Sequence, residues 1–411
     1  MIKKTESIRR GKPGQDDSSS VMRGFPPPDK QRVTLNNWRT VPYSHWAFRN
    51  IRQLLPTALV RCGASVPFDP PSSALDVNGL SFEGIDGKEV CLKDFLQESH
   101  THGFAVLHDN QVVFEHYAHG LRPECAHILF SVTKSVTATL AGILAERGVI
   151  DLDAPISQYV PEVSGSAYAD AFLRHLLDMT VGIEFDEDYE NQTGDFARYR
   201  VATGWRPATD PSDVDNLRDF LPNLNKQGEH GRSFHYVSPN TDLLGWIIER
   251  ATGQAYADVL SQRLWQPMGA LEDAYINVDR YSAPRAAGGL CVTLHDLLRF
   301  GQLHLPLDAG GKSDIVPAWW LHDLRNNGDQ AVWDRGNFSD FMPGWRYRNQ
   351  WYVSSEGAYG GLGVFGQYLY VDPHRGMVIA KLSAQRRALD ERLNAATYRA
   401  FAALGQRLSR S

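Results

Sequence analysis

The chain has 411 residues, of which 42% are hydrophobic, 11% aromatic and 22% charged. That balance describes a folded globular protein, excludes collagen-like and wholly disordered chains, and at about 100 to 200 residues per domain leaves room for two or three units. Forty-two Lys and Arg against forty-eight Asp and Glu give a formal net charge of -6, so no basic field draws in a phosphate backbone and nucleic acid is not the expected partner.

The first thirty residues lack the apolar run of about 7 to 15 residues that a signal peptide needs. No later stretch reaches the roughly 18 apolar residues of a membrane span, so the expectation is a cytoplasmic protein without membrane contact. The polar, Ser-, Gly- and Pro-rich composition of residues 1–35 predicts a flexible arm. Over 46–60 an apolar stripe interrupted by Pro56 predicts a short helix on the main body, broken by the proline-rich stretch 67–71. Runs at 103–107 and 112–117, rich in β-branched and aromatic residues and separated by His108, Asp109, Asn110 and Gln111, predict a hairpin. Val132, Val136, Leu140, Ile143 and Leu144 recur at helical intervals, with Gly148 as the stop, so 131–147 is a buried helix.

From 151 to 268 short amphipathic stretches (172–179, 217–224, 243–251, 256–264) alternate with Gly, Pro and Asp turns and predict mostly helix. Strand signals return at 368–371 and 377–382, and the chain ends on an amphipathic helix carrying Leu389, Leu393, Ala400 and Leu404. Strands at both ends of a helical middle imply an α/β (α+β) chain: one sheet domain from 36–150 and 275–411, interrupted by a mostly helical domain over 151–274.

Cys62, Cys91, Cys125 and Cys291 are scattered without a CxxC and read as buried thiols. Among the fourteen histidines, His100 with His102 and His116 with His119 come nearest to metal spacing. Neither pair has a third ligand at a recognisable distance, so no metal is expected and most histidines read as surface or capped. No phosphate loop or dinucleotide fingerprint calls for a cofactor, and no Gly-x-Ser-x-Gly marks a nucleophile elbow.

The sharpest chemical feature is Ser131-Val132-Thr133-Lys134, where a loop enters the apolar helix. Spacing of i and i+3 puts hydroxyl and amine on one face, within reach of each other. The serine N–H at the helix N-terminus can hold a developing oxyanion, and a lysine desolvated among apolar neighbours has a lowered pKa and can act as base. The alternative is that Ser131 caps the helix and Lys134 snorkels to solvent. A second feature lies about a hundred residues on: Tyr236-Val237-Ser238-Pro239-Asn240 at the start of a helix that runs through Leu243-Leu244-Gly245.

Ser131-x-x-Lys134 followed by Tyr236-x-Ser238 resembles the penicillin-recognising serine hydrolases, which include class C β-lactamases, related esterases and DD-peptidases. Within them the chain is most similar to the 6-aminohexanoate-dimer hydrolases, from HWAF and LLPTALV through SVTKS, DEDYE, WIIERATG, AAGGLCVT and GLGVFGQYLYVDP. The resemblance implies a β-lactamase/transpeptidase-like fold, an antiparallel sheet flanked by helices with an inserted helical domain. It implies Ser131 as nucleophile, Lys134 as its base and Tyr236 as proton relay. The oxyanion would be held by the Ser131 N–H and the N–H of Val364, in a strand over 363–367. Tyr189, in Asp188-Tyr189-Glu190 with Glu187 alongside, matches a lid tyrosine of that family; an exposed loop aromatic is its alternative. Asn240, Tyr352 and Ala287 are further candidates for the substrate cleft.

Two departures bear on substrate. Phe365 stands before Gly366 where many members carry a cation, which argues against penicillin, and Ala287 stands where the amide hydrolases have Asn. Trp351 and Tyr352 follow the pattern of cleft aromatics, with core packing as their alternative. The implied reaction is hydrolysis of a small linear amide. A carboxylesterase or acyltransferase with the same machinery, or a ligand-binding member without turnover, would share the motifs. Oligomeric state, a homodimer included, leaves no mark in the sequence.

Overall fold

The computed structural model describes residues 18–64, 76–77, 79–306, 311 and 314–409; the expected break at 67–71 lies outside them. In chain order the strands are β1 (Thr57–Val60), β2 (Ser81–Glu83), β3 (Glu89–Cys91), β4 (Thr101–His108), β5 (Gln111–Tyr117), β6 (His127–Ile128), β7 (Ala274–Asn277), β8 (Leu290–Val292), β9 (Arg346–Arg348), β10 (Trp351–Val353), β11 (Tyr359–Gly363), β12 (Gln367–Asp372) and β13 (Met377–Ser383). Seven of them form one antiparallel sheet in the order β5-β4-β13-β12-β11-β10-β9. A smaller sheet runs β1-β7-β8-β6, and β2-β3 is a separate hairpin. Between β6 and β7 the chain is helical with no strand, only isolated bridges such as Pro155 to Phe172.

The large sheet is covered on both faces, and strand alternation divides its side chains between two cores. Phe104 and Val106 join the cluster that holds Phe401 and Leu404 of the C-terminal Glu391–Leu408 helix. Ala105 and Leu107 join the cluster of Leu297 and Leu298 from the Leu294–Gln302 helix. The Val132–Glu146 helix is buried along its length except at its last two residues, against β11 and the Ser238–Thr252 helix.

Four expectations need correction. Residues 46–60 do not form one helix: a turn of helix at Tyr43–Ala47 and a 3-10 turn at Ile51–Gln53 give way to β1. Pro56 ends the helical run, and the Thr57–Val60 backbone pairs with Asn277–Ala274 in register. The flexible arm is too long as drawn. Val21 and Val33 are buried in a third cluster with Trp38, Phe48, Phe130 and Phe365, and the Met22 N–H donates to the Gln31 carbonyl, because that cluster supplies the apolar contact that local composition lacks. Residues 363–367 are not one strand: β11 ends at Gly363, and Val364, Phe365 and Gly366 form the turn to β12, with Phe365 and Gly366 both at positive φ. Of the four cysteines only Cys291 is buried.

The histidines also differ from expectation. His45, His102, His127 and His304 are buried. His45 Nδ1 lies 2.8 Å from His102 Nε2, His102 Nδ1 lies 3.1 Å from His127 Nε2, and His127 Nδ1 lies 2.9 Å from the Ile128 carbonyl. A carbonyl only accepts, so His127 is Nδ1-protonated and each neutral ring in turn donates from Nδ1 to the next. Burial is the main cause that holds His45 down to about 3 and His127 to about 4.

Candidate active site

The turn before the Val132–Glu146 helix is built around Phe130, a non-glycine residue at φ 45°. Such a conformation costs about 1–3 kcal/mol and persists only where the surroundings over-determine it. Here four rings do so. Phe130 stacks on Trp38 at 6.1 Å and meets Phe48, Trp205 and Phe365 at 5.0, 5.8 and 5.4 Å. From the other side Gly363 closes on the same turn: a Cβ there would stand 2.5 Å from the Leu129 carbonyl oxygen and 3.2 Å from the Ser131 nitrogen.

Ser131 sits at the helix start with αR backbone angles and makes no side-chain cap. Lys134 is 1% exposed and does not snorkel. Both alternatives read from the sequence therefore fail, for the same reason: the hydroxyl and the amine face each other. Lys134 Nζ is 3.0 Å from Ser131 Oγ, 3.0 Å from Ser238 Oγ and 2.9 Å from the Ala287 carbonyl. Burial lowers its pKa to about 7, with Glu187 acting in the opposite sense.

The contacts set the direction of that amine. Ser238 Oγ donates to Glu187 Oε1 at 2.6 Å, so its oxygen accepts from Lys134, and the Ala287 carbonyl can only accept. A neutral amine has two N–H groups and one lone pair. With both N–H groups committed, the lone pair is left for the Ser131 hydroxyl. Glu187 is itself held by the Ser238 N–H at 2.6 Å and the Tyr189 hydroxyl at 2.9 Å. Ala287 is held by its N–H, which donates to Asp242 Oδ1 at 2.8 Å; Asp242 pairs with the buried Arg285 at 2.5 Å.

Tyr236 brings its ring to 4.8 Å from Lys134 Nζ and stacks on Phe338. Burial, then Glu187, pushes its pKa far above the ordinary phenol, while hydrogen bonds to Ser131 and Tyr352 pull the other way. The hydroxyl thus stays protonated, the state of a donor. Among the described residues neither the Ser131 nor the Val364 N–H has an acceptor, and both residues line a cleft of about 310 Å3, a size suited to a small molecule.

Tyr189 lines that cleft, edge-on to Phe196 at 4.8 Å, so it is not an exposed loop aromatic. Ala287 lines it too, and its carbonyl is what engages Lys134. Asn240 does not reach the cleft: its amide accepts from the Tyr168 hydroxyl at 3.1 Å and donates to Met179 Sδ. Tyr352 stands behind Tyr236 in the second core cluster, and Trp351 packs in the core against His304 and Phe300. Ser238, Arg39, Arg200, Trp205, Asp242 and Arg285 also surround the site, and the sequence assigns none of them a role. Ser238 had a signal, its place two residues after Tyr236; the others come from four distant segments and had none.

The family described as Beta-lactamase matches residues 91–404. A 6-aminohexanoate-dimer hydrolase of Paenarthrobacter ureafaciens is 34% identical over 353 residues, 85% of this chain and 88% of the relative. Esterase EstB of Burkholderia gladioli is 28% identical over 173 residues, 40% of this chain and 42% of the relative. A Bacillus anthracis structure assigned to the 6-aminohexanoate-dimer hydrolases superposes with a TM-score of 0.83 at 28% identity, covering 93% of this chain and 99% of that one. Among the described residues no helix is long and apolar enough to cross a membrane. With Lys134 in contact with Ser131, Ser238 and the Tyr236 ring and a family match over residues 91–404, the chain belongs to the β-lactamase family.

Proposed function

We propose that the protein hydrolyses small linear amides, of the 6-aminohexanoate-dimer kind, through an acyl-enzyme on Ser131. Neutral Lys134 takes the Ser131 proton as Oγ attacks the amide carbon. The oxyanion that forms is held by the Ser131 and Val364 N–H groups. Tyr236 gives its proton to the leaving nitrogen, the C–N bond breaks and the free amine departs; the proton on Lys134 restores the tyrosine. Water then attacks the Ser131 ester, its proton passes back through the same groups, and the carboxylic acid leaves with the serine regenerated. The observation that carries this reading is the buried Lys134, whose N–H groups are taken by Ser238 and Ala287 so that its lone pair meets Ser131.

Ester hydrolysis by the same groups is the second reading, favoured by the stretch of similarity to esterase EstB. The test is release of 6-aminohexanoate from its linear dimer beside release of p-nitrophenol from a short ester, with Ser131→Ala as blank. Serine-dependent cleavage of the dimer supports the amidase. Cleavage of the ester alone makes the protein an esterase, and stoichiometric acylation without turnover of either makes it a ligand-binding member.

A further inference from the structure

We propose that the cleft carries a subsite for a carboxylate on the substrate, formed by Arg200 and Arg39 beside Trp205. The proposal rests on the hydrolase reading of this cleft and specifies its substrate.

The cleft is lined by five arginines but only two acidic residues, Glu187 and Glu190. Arg285 is neutralised by Asp242, and Glu187 is occupied by Ser238 and Tyr189. Arg200, on the Asp195–Ala202 helix, is 3% exposed. Among the described residues its Nη2 reaches only neutral acceptors, Gln192 Oε1 at 3.1 Å and the Asn191 carbonyl at 3.4 Å, and its Nε has no partner. Neither Arg200 nor Arg39 has a carboxylate at ion-pair distance among the described residues. The charged neighbours that act on them are other arginines.

A cation taken out of water without a counter-charge is costly, and a buried N–H without an acceptor adds to that cost. A substrate carboxylate meets both needs, since the guanidinium fork matches its two oxygens. Both forks are preset. The Arg200 guanidinium lies 5.5 Å from the Phe196 ring centroid and that of Arg39 lies 5.6 Å from Trp38, so little rotamer freedom is lost when the anion arrives. Burial, then the Arg200 and Arg206 charges, lowers the Arg39 pKa from its ordinary value.

The carboxylate can sit on the acyl chain or on the leaving amine, and two substrate pairs separate these. Glutaryl-p-nitroanilide against butyryl-p-nitroanilide tests the acyl side. N-butyryl-6-aminohexanoate against its methylamide tests the leaving side. In one pair the anionic member should have the higher kcat/KM by about tenfold or more, chiefly through KM. Arg200→Ala and, at a partly buried second site, Arg39→Ala should each reduce that ratio to near one. Calorimetry with adipate on Ser131→Ala adds a readout free of turnover, with binding expected there and lost when Arg200→Ala is added. Equal rates within both pairs, or a preference that survives both arginine variants, would overturn the subsite. Adipate binding that depends on Arg200 in a protein without serine-dependent turnover would keep the subsite and refute the hydrolase.

Discussion

At the scale of single residues the site depends on one buried amine. In the proposed reaction Lys134 acts as a neutral amine, and its pKa of about 7 predicts that kcat/KM falls as pH drops below about 7 and levels off above it; a pH–rate profile checks this. Glu187 raises that pKa by its charge, so Glu187→Gln should move the acid limb to lower pH. Tyr236→Phe, which removes the proposed proton donor and keeps the ring, should lower kcat by about 100- to 10,000-fold, measured in steady state. Ser131, Lys134 and Tyr236 were legible in the sequence because one helical turn and one short motif carry them. Their orientation was not, because the groups that aim Lys134 are a carbonyl at Ala287 and a hydroxyl at Ser238, brought in by the fold. Asn240 misled for the converse reason: it belongs to the motif, yet its amide is satisfied by Tyr168.

At the scale of elements, the strained Phe130 turn leans on four rings from three stretches of the chain, Trp38 and Phe48, Trp205, and Phe365. Phe48→Ala removes one of them and should cost about 3–5 kcal/mol in denaturant unfolding. It should also lower turnover by loosening Ser131. The string His45–His102–His127 predicts acid sensitivity. Each ring is held neutral in the fold, with a pKa below that of the unfolded chain, so the unfolded state binds protons first. Stability from the string is therefore full above about pH 6.5 and lost progressively as pH falls toward 4 and 3. Unfolding midpoints measured across that range should fall, and less so in His102→Gln, which does not titrate. The hairpin at 103–117 was readable from its two β-branched and aromatic runs with a polar turn between them, and the helix after Ser131 from its helical period. The short strand at Thr57–Val60 was not, since four residues are too few to carry a period and its partner lies more than two hundred residues away.

At the scale of the whole molecule, chain ends and chain middle meet at the cleft. The segment from Ser18, the Trp38 region, the helical middle and the β11–β12 turn all pack on Phe130 or line the pocket. Composition marked residues 18–35 as an arm because local polarity cannot show a distant aromatic cluster. Deleting residues 1–35 should therefore lower the thermal midpoint, whereas an arm without contacts would leave it unchanged. The most direct measurement on the intact chain is its mass after rapid acid quench during turnover of a p-nitrophenyl ester. The expected result is one added acyl group, mapped to the peptide holding Ser131 and absent from Ser131→Ala. Undiminished turnover in Ser131→Ala, or the acyl group on another residue, would contradict the serine mechanism.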